Sequence, residues 1–277
     1  MIVYGVDFSG AKDPSGKIHI VRAELHQDEK ILRFTESVAC DDRLDLFASI
    51  VHSEPDSVWG LDVPFAPPSP AYERIGFSEW SDWLQFAAST TREQFMQQLE
   101  AHFPAYESAC RLHGWACRHT DIAAQAASVF KRVQPNLRSM IYAGWKLLAY
   151  ARRSGVRVYP FDWVEDRDTP CAPTLYEIYP SHTARLATKR RTLDVMRSAD
   201  WVRGAAGLRD IELPERLSLP ASQDAADAFV ACLTLAAVMQ LQAEPLRAQM
   251  PVRPLFALEA EWAEREREGL IVRLPFA

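Results

Sequence analysis

Met1-Ile-Val-Tyr-Gly-Val-Asp7-Phe-Ser-Gly-Ala-Lys12 is the stretch that decides the fold. Its apolar run ends in a carboxylate, and small residues that suit a tight turn follow at once. A second apolar run, 18–21, then leaves in the opposite direction. The pattern predicts a buried strand, an acid at its C-terminal end and an antiparallel return strand. Because a buried acid costs free energy unless a metal, a donor or a cationic ligand compensates it, Asp7 is the first candidate site residue.

The composition is that of an ordinary globular protein. The chain has 277 residues, of which 48% are hydrophobic and 25% charged, with a net charge of −6. This acidic balance argues against a broad nucleic-acid-binding surface but not against a metal-dependent nuclease, since clustered acids lower the formal charge. The scattered cysteines favour a reducing, cytoplasmic location over a disulfide framework. Since no apolar run approaches about 18 residues, we expect no membrane span.

The predicted elements indicate one α/β domain over residues 1–277, with a mixed sheet. Short turns join the first three strands into an antiparallel meander, and residues 72–135 are expected to form a helical insertion or cap. The predicted strands lie at about 2–8, 17–25, 31–39, 57–62, 156–161, 174–179 and 269–274, and the predicted helices at about 41–52, 137–153, 184–201, 220–242 and 259–268.

A second carboxylate, Asp62, ends the fourth predicted strand, and a proline-rich loop follows it. This strand comes after a helix, so a crossover connection is expected to return it beside the first strand and parallel to it. Asp62 and Asp7 are then expected at the same edge of the sheet.

Three further acids come from the second half of the chain. Asp224 and Asp227 stand three residues apart in a predicted helix that is otherwise apolar, so both carboxylates share one face. Acids in a first helical turn also complement the helix dipole, which is the structural alternative. Glu177 lies in a predicted strand and alternates with Tyr176 and Ile178. It is either a solvent-facing residue or an auxiliary ligand or base.

Together these carboxylates provide the oxygen ligands that one or two Mg²⁺ or Mn²⁺ ions prefer. We therefore predict a hydrolase of phosphodiester bonds, in which Asp7, Asp62, Asp224 and Asp227 hold metal and Glu177 assists. The nucleophile is then an activated water, so no Ser, Cys or His nucleophile is required. Nucleic acid is a possible substrate, and the sequence leaves both its identity and the oligomeric state open.

A set of motifs stands in the order found in the domain of unknown function 429 family, which this chain resembles. The motifs are Gly5-Val-Asp7-Phe-Ser-Gly-Ala11, Gly60-Leu-Asp62-Val-Pro-Phe65, Tyr176-Glu-Ile-Tyr-Pro180 and Ser222-Gln-Asp224-Ala-Ala-Asp227-Ala228. The block Cys117-Arg-His-Thr-Asp121 also resembles the middle region of that family, and the tail Glu266-Arg-Glu-Gly-Leu-Ile271 resembles its C-terminal signature. That family is regarded as RNase H-like and as predicted nucleases. The resemblance implies an RNase H-like sheet of five or six strands, flanked by helices. It assigns the usual acids to Asp7, Asp62, Asp224 and Asp227, the helix pair being similar to that of Holliday-junction resolvases.

Two other functions stay open at this stage. The turn Ser9-Gly10-Ala11-Lys12 also resembles the first phosphate loop of actin-like kinases and ATPases, but we find no second such loop. A non-catalytic binding module could keep the same acids. If the chain binds phosphates, the candidate residues are Ser9, Lys12, Arg118 and Lys189.

A zinc site is a weaker alternative. Cys110, His113, Cys117 and His119 lie close together in the sequence. Their spacing matches no familiar zinc pattern, so ordinary structural roles are favoured.

Overall fold

The computed structural model describes residues 1–103, 116–131, 136–162, 171–189, 194–213, 222–241 and 257–274. The strands are β1 (Ile2–Asp7), β2 (Ile18–His26), β3 (Ile31–Cys40), β4 (Val58–Asp62), β5 (Arg157–Val158), β6 (Thr174–Ile178), β7 (Asp210–Glu212) and β8 (Ile271–Val272). The helices are α1 (Arg43–Val51), α2 (Pro70–Ile75), α3 (Trp80–Ser89), α4 (Arg92–His102), α5 (His119–Ala124), α6 (Leu137–Arg153), α7 (Pro180–Thr188), α8 (Val195–Ala206), α9 (Gln223–Leu241), α10 (Glu259–Ala263) and α11 (Arg265–Glu268).

These strands form one mixed sheet in the order β5-β6-β4-β1-β2-β3-β7, and β8 pairs with β6. The first three strands are antiparallel neighbours, whereas β4 runs parallel to β1, and β6 runs parallel to β4. The predicted meander and the parallel return of β4 are therefore confirmed. The described residues form eight strands, more than the five or six that were expected. The described part of residues 72–135 is largely helical, as predicted for the insertion.

Helices cover both faces of the sheet, and each face has its own apolar core. On one face, Trp59 and Leu61 of β4 pack with α3 and α6, as part of a cluster that includes Trp83 and Trp145. On the other face, Val3 of β1 packs with α8 and α9. By length and composition α9 could cross a membrane, but here most of it is buried against the sheet.

The contact between α9 and β1 is very close because Gly5 lies at the crossing. A Cβ atom at Gly5 would stand 2.2 Å from the carbonyl oxygen of Ala228 and 2.2 Å from the backbone nitrogen of Cys232. Neither backbone atom can move without displacing the helix. The glycine therefore sets how closely α9 approaches the sheet, and with it the position of the acids at the N-terminal end of α9.

Replacing Gly5 with alanine is expected to lower the free energy of unfolding by about 2–3 kcal/mol, since the added methyl meets backbone rather than a flexible side chain. Gly204 in α8 is the matched control, because a Cβ atom there meets nothing within 4 Å. Gly204→Ala is expected to stabilise the protein by up to about 1 kcal/mol through helix propensity. Urea unfolding of both variants tests the prediction, and equal stabilities would contradict it.

Four predicted boundaries are wrong, each for a local reason. The predicted helix 184–201 is two helices, α7 and α8, because Lys189 takes a left-handed conformation (φ 57°) at the end of α7. The predicted helix 259–268 is interrupted at Glu264. The predicted strands 156–161 and 269–274 contribute only β5 and β8, and β7 was not predicted. Short strands carry too few residues for a period-2 pattern to show.

Candidate functional site

Asp7 and Asp62 lie side by side at the C-terminal ends of neighbouring parallel strands. They are register partners in the pairing of β1 with β4, so their backbones are about 4.8 Å apart and their side chains point to the same face. Alternation places Asp7 on the same face as Gly5, which is the face that α9 covers. The predicted shared sheet edge is thus confirmed.

The start of α9 brings Asp224 and Asp227 to this edge. From the crossing at Gly5 and Ala228, β1 advances by about 6.6 Å to reach Asp7. In the same direction α9 extends about 6 Å from Ala228 back to Asp224. These two distances are nearly equal, so the first turn of α9, with Asp224 and Asp227, lies next to Asp7 at the end of β1.

The charges of these acids act on one another. Burial, followed by the charges of Asp227 and Asp224, raises the pKa of Asp7 to about 8. Burial also raises the pKa of Asp62 well above its ordinary value, with the charges of Asp7 and Asp227 next in effect. Ionising all of these acids together is therefore unfavourable in the metal-free protein, and no cation of the described residues forms an ion pair with them.

Asp227 shows the same effect to a smaller extent. The pKa of Asp227 is raised to about 6, chiefly by burial; a hydrogen bond from Gln223 opposes the rise, and the charge of Asp224 contributes to it. The Gln223 amide donates to Asp227 Oδ2 at 3.0 Å. The i, i+3 pair thus belongs to the acidic site and is not only a partner of the helix dipole.

A cleft of about 750 Å³ is lined by two of these four acids. Asp7 and Asp224 form its acidic wall, and Lys12, Lys17 and Arg92 contribute positive charge. Arg92 fixes the turn after β1 through a 2.8 Å hydrogen bond to the Gly10 carbonyl. A negatively charged ligand can therefore enter from a cationic side and meet the carboxylates at the other.

Arg43 holds the same turn from the other side. Its guanidinium donates to the carbonyl oxygen of Ser9, at 2.9 and 3.1 Å, and to that of Ala11. Ser9 and Lys12, both predicted as substrate residues, accordingly line the cleft. The turn is rigid, and its position next to Asp7 is fixed.

The sequence analysis missed His19, the register partner of Asp7 on the antiparallel strand β2. Paired residues on neighbouring strands project to the same side, so its imidazole stands beside the acids. The only signal was the turn length between the two strands, which sets the register. Arg92 and Asn136 of the cleft were also missed, because they come from distant segments.

The donor set suits a hard divalent cation, because all of its ligands are carboxylate oxygens. Among the residues that the structure describes, however, no group of three or more His, Cys, Asp or Glu side chains is arranged to hold an ion as it stands. The acids are close enough to raise one another's pKa values but not close enough to enclose a cation. Binding a cation therefore requires the side chains to draw together.

Glu177 lies near this site, but its side chain is hydrogen-bonded to other residues. Its side chain is 3% exposed, so it is not the solvent-facing residue of the simpler alternative. Its Oε1 and Oε2 accept from Arg118 at 2.5 and 2.7 Å, and Oε2 also accepts from the backbone N–H of Phe65 at 2.9 Å. Both oxygens are occupied, which corrects the prediction of a metal ligand or base.

Arg118 is equally occupied and is not a substrate residue. It is 1% exposed and pairs with both Asp121 and Glu177. Burial alone would lower the pKa of a guanidinium, but these two carboxylates outweigh it and raise the pKa of Arg118. The structure therefore assigns Arg118 to a buried ion network that joins the insertion to β6.

This network fixes the segment that follows Asp62. Glu177 binds the N–H of Phe65, whose carbonyl oxygen accepts from Trp80 Nε1 at 2.8 Å. The carbonyl oxygen of Pro64 accepts from Trp145 Nε1 at 2.9 Å. Three buried side chains thus hold the exit of β4, so Glu177 and Arg118 act as positioning residues for Asp62.

The remaining predicted positions do not join the site. Lys189, predicted as a phosphate-binding residue, is exposed at the end of α7 and lines neither the cleft at Asp7 nor the neighbouring cleft along α6. Cys117 is disulfide-bonded, so it offers no thiolate to zinc, and the expectation of fully reduced cysteines is wrong there. Cys110 and His113 lie outside the described residues. The cytoplasmic location stays a prediction.

Comparisons with known proteins add little. No family model matches the chain, and no curated protein matches it. Among solved structures, the chain is similar to the Thermus thermophilus RuvC structure, at 15% sequence identity and a TM-score of 0.30, over 90% of this chain and 99% of that one. At such a TM-score the similarity supports no inference. The resemblance to the domain of unknown function 429 family stays a prediction from motifs.

Proposed function

We propose that this chain is a metal-dependent nuclease that hydrolyses phosphodiester bonds. The observation that carries the proposal is the convergence of Asp7, Asp62, Asp224 and Asp227 from three separate elements. Two of these acids, Asp7 and Asp224, line a cleft that also has cationic side chains. Nothing in the packing of a sheet requires acids from β1, β4 and α9 to share one partly buried place. Their mutual repulsion lowers stability, which is typical of a functional site.

These acids are the residues that would hold Mg²⁺ or Mn²⁺. Such an ion supplies charge neutralisation and activates water for attack on phosphorus. The chain's own cations have a separate task, since carboxylates alone repel a phosphodiester. Lys12, Lys17 and Arg92 draw the anionic backbone into the cleft, and the rigid Ser9–Ala11 turn keeps Asp7 in place.

Cleavage of labelled nucleic acids tests the proposal. Single strands, duplexes, junctions and RNA–DNA hybrids are incubated with Mn²⁺ or Mg²⁺, and calorimetric titration measures the affinity for Mn²⁺. We expect cleavage that EDTA stops, and at least about tenfold weaker Mn²⁺ binding in Asp62→Asn, because a charged oxygen ligand is lost. Asp56→Asn is the matched control, since Asp56 is exposed ahead of β4.

Two results would overturn the proposal. Absence of Mn²⁺ binding to the wild-type protein would favour the non-catalytic module. Stabilisation by ATP, without cleavage of any nucleic acid, would favour the phosphotransferase alternative suggested by the turn after β1.

A further inference from the structure

A second cleft, of about 860 Å³, continues from the first along helix α6. Lys12, Arg92 and Glu93 line both clefts, so the two cavities meet at these side chains. Ser139 and Met140 of α6 line the first, and the following turns of the same helix line the second. Because α6 has 17 residues, it spans about 25 Å. The combined cleft is an elongated groove that begins at the acids.

The second cleft is strongly cationic. Its lining contains Lys12, Arg43, Arg92, Lys146 and Arg153, against the one carboxylate of Glu93. Within the described residues, the four of these cations other than Lys12 form no ion pair with a carboxylate, and Lys12 approaches Glu93 only to 4.0 Å. This charge contrasts with the net charge of −6 for the whole chain. The groove is therefore a locally cationic surface on a chain whose net charge is negative.

The cations are held in place by contacts that leave their charge uncompensated. Arg92 and Lys146 lie over the ring of Tyr142, at 5.4 and 5.6 Å from its centroid. The Tyr142 hydroxyl donates to the carbonyl oxygen of Thr90 at 3.1 Å, which fixes the ring. Arg153 donates to the side-chain oxygen of Gln85 at 2.6 Å. Cations that are fixed in position can each contact one anionic group of a chain-like ligand.

Exposed apolar side chains accompany these charges. Leu44 is 73% exposed and Tyr150 is 40% exposed, and both line the second cleft with the partly buried Phe47. A polyanion that has no bases would make no apolar contacts with these side chains. The bases of a duplex are stacked and paired inside it, whereas a single strand presents base faces that stack on aromatic rings.

We propose that the groove along α6 binds single-stranded nucleic acid. Its phosphates lie against Arg43, Arg92, Lys146 and Arg153, its bases lie against Tyr150 and Leu44, and the strand leads towards Asp7. The groove follows α6, so the strand lies along a surface of about 25 Å. Binding is independent of the metal; only the role of the groove in delivering a strand for cleavage rests on the proposed function.

Fluorescence anisotropy of a labelled short oligothymidylate, in EDTA and with the full-length protein, tests the binding. Lys146→Glu/Arg153→Glu is expected to bind at least about tenfold more weakly, and its salt dependence to fall by about 1.4 in log K against log salt, or about 0.7 for each lost phosphate contact. Arg197→Glu/Arg203→Glu on α8 is the matched control, with the same change of net charge at exposed arginines. It is expected to bind like the wild type.

The apolar contacts have their own test. Tyr150→Ala is expected to bind the oligothymidylate about fivefold more weakly and an abasic strand of equal length as well as the wild type does. Equal losses for both strands would remove the base contacts from the proposal.

Competition separates the possible ligands. A duplex that binds as tightly as the single strand, or poly-glutamate that displaces it equally well, would overturn the proposal in favour of another anionic partner. Binding of the strand without cleavage in Mn²⁺ would refute the nuclease and leave the groove intact. Cleavage that Lys146→Glu/Arg153→Glu leaves unchanged would refute only the role of the groove in delivering the strand to Asp7.

Discussion

Replacing Asp7 with asparagine is expected to stabilise the metal-free protein at pH 8 and to abolish metal-dependent cleavage. Burial, followed by the charges of Asp227 and Asp224, raises the pKa of Asp7 to about 8. At pH 8 the wild-type protein therefore keeps a carboxylate in a place that disfavours its charge. Asparagine has nearly the same shape and no charge, so the variant removes the repulsion without opening a cavity.

The gain in stability from Asp7→Asn must increase as pH rises. An acid whose pKa is higher in the folded than in the unfolded state binds more protons when folded, so stability falls as pH rises between the two values. For Asp7 this window extends from its ordinary pKa of 3.8 to about 8. The gain from Asp7→Asn is therefore expected to be small near pH 4 and largest at pH 8.

The size of the gain follows from the pKa. Each unit is worth about 1.4 kcal/mol, but solvent reaches Asp7 through the cleft and reduces the effect, so we expect about 1–3 kcal/mol. For a chain of this length that is a rise in melting temperature of about 3–8 °C. Differential scanning fluorimetry in EDTA across this pH range measures it. Asp13→Asn, in the exposed turn after β1, is the matched control and is expected to change little.

A bound metal ion is expected to reverse which protein is the more stable, the wild type or Asp7→Asn. A bound cation stabilises the folded state in proportion to its affinity. Mn²⁺ is therefore expected to raise the melting temperature of the wild type and to have little effect on Asp7→Asn. Cleavage by the variant is expected to fall on the order of 10³-fold or more. Equal stabilisation of both proteins by Mn²⁺, or a variant less stable at every pH, would contradict the acidic site as a metal centre.

The acids of this site could be predicted because each belongs to a strong local pattern. Asp7 and Asp62 end apolar runs, and the crossover rule was enough to place them at one edge of the sheet. The spacing of Asp224 and Asp227 placed them on one face of an apolar helix. What the sequence could not predict is the close crossing at Gly5, which brings the helix pair level with the strand acids.

Glu177 shows why local patterns were insufficient elsewhere. Alternation along β6 showed only that Glu177 faces away from its neighbours, and a strand covered on both faces has no solvent side to assign. Its partner, Arg118, stands 59 residues away in the chain. No spacing rule connects two such positions, so Glu177 was predicted as a ligand or base and Arg118 as a phosphate-binding residue. The groove along α6 was missed for the same reason, since its lining comes from segments far apart in sequence.

Arg118→Met is expected to destabilise the protein by about 3–5 kcal/mol, because it leaves buried carboxylates without their cation. Arg118 donates to Asp121 at 2.6 Å and to Glu177 at 2.5 Å, and all three side chains are nearly inaccessible. Methionine fills much of the volume, so lost packing contributes little. Arg118→Lys is expected to restore only part of the loss, since an ammonium cannot make the same forked contacts.

Arg197→Met on α8 is the matched control, because its guanidinium is largely exposed and its ion pair is therefore weak. We expect a change within about 0.5 kcal/mol for that variant. Guanidinium chloride unfolding measures both, and equal changes would contradict the network.

A second substitution, at Glu177, tests whether its carboxylate causes the loss of stability in Arg118→Met. Burial already raises the pKa of Glu177 in the presence of Arg118. Without the guanidinium the pKa rises further, so the penalty of Arg118→Met is expected to shrink as pH falls towards 5 and Glu177 takes up a proton. Arg118→Met/Glu177→Gln is accordingly expected to be about 1–2 kcal/mol more stable than Arg118→Met alone, because the amide still accepts from the N–H of Phe65. If the double variant is instead the less stable, Glu177 is not the charge that Arg118 neutralises, and its role at the exit of β4 must be reassigned.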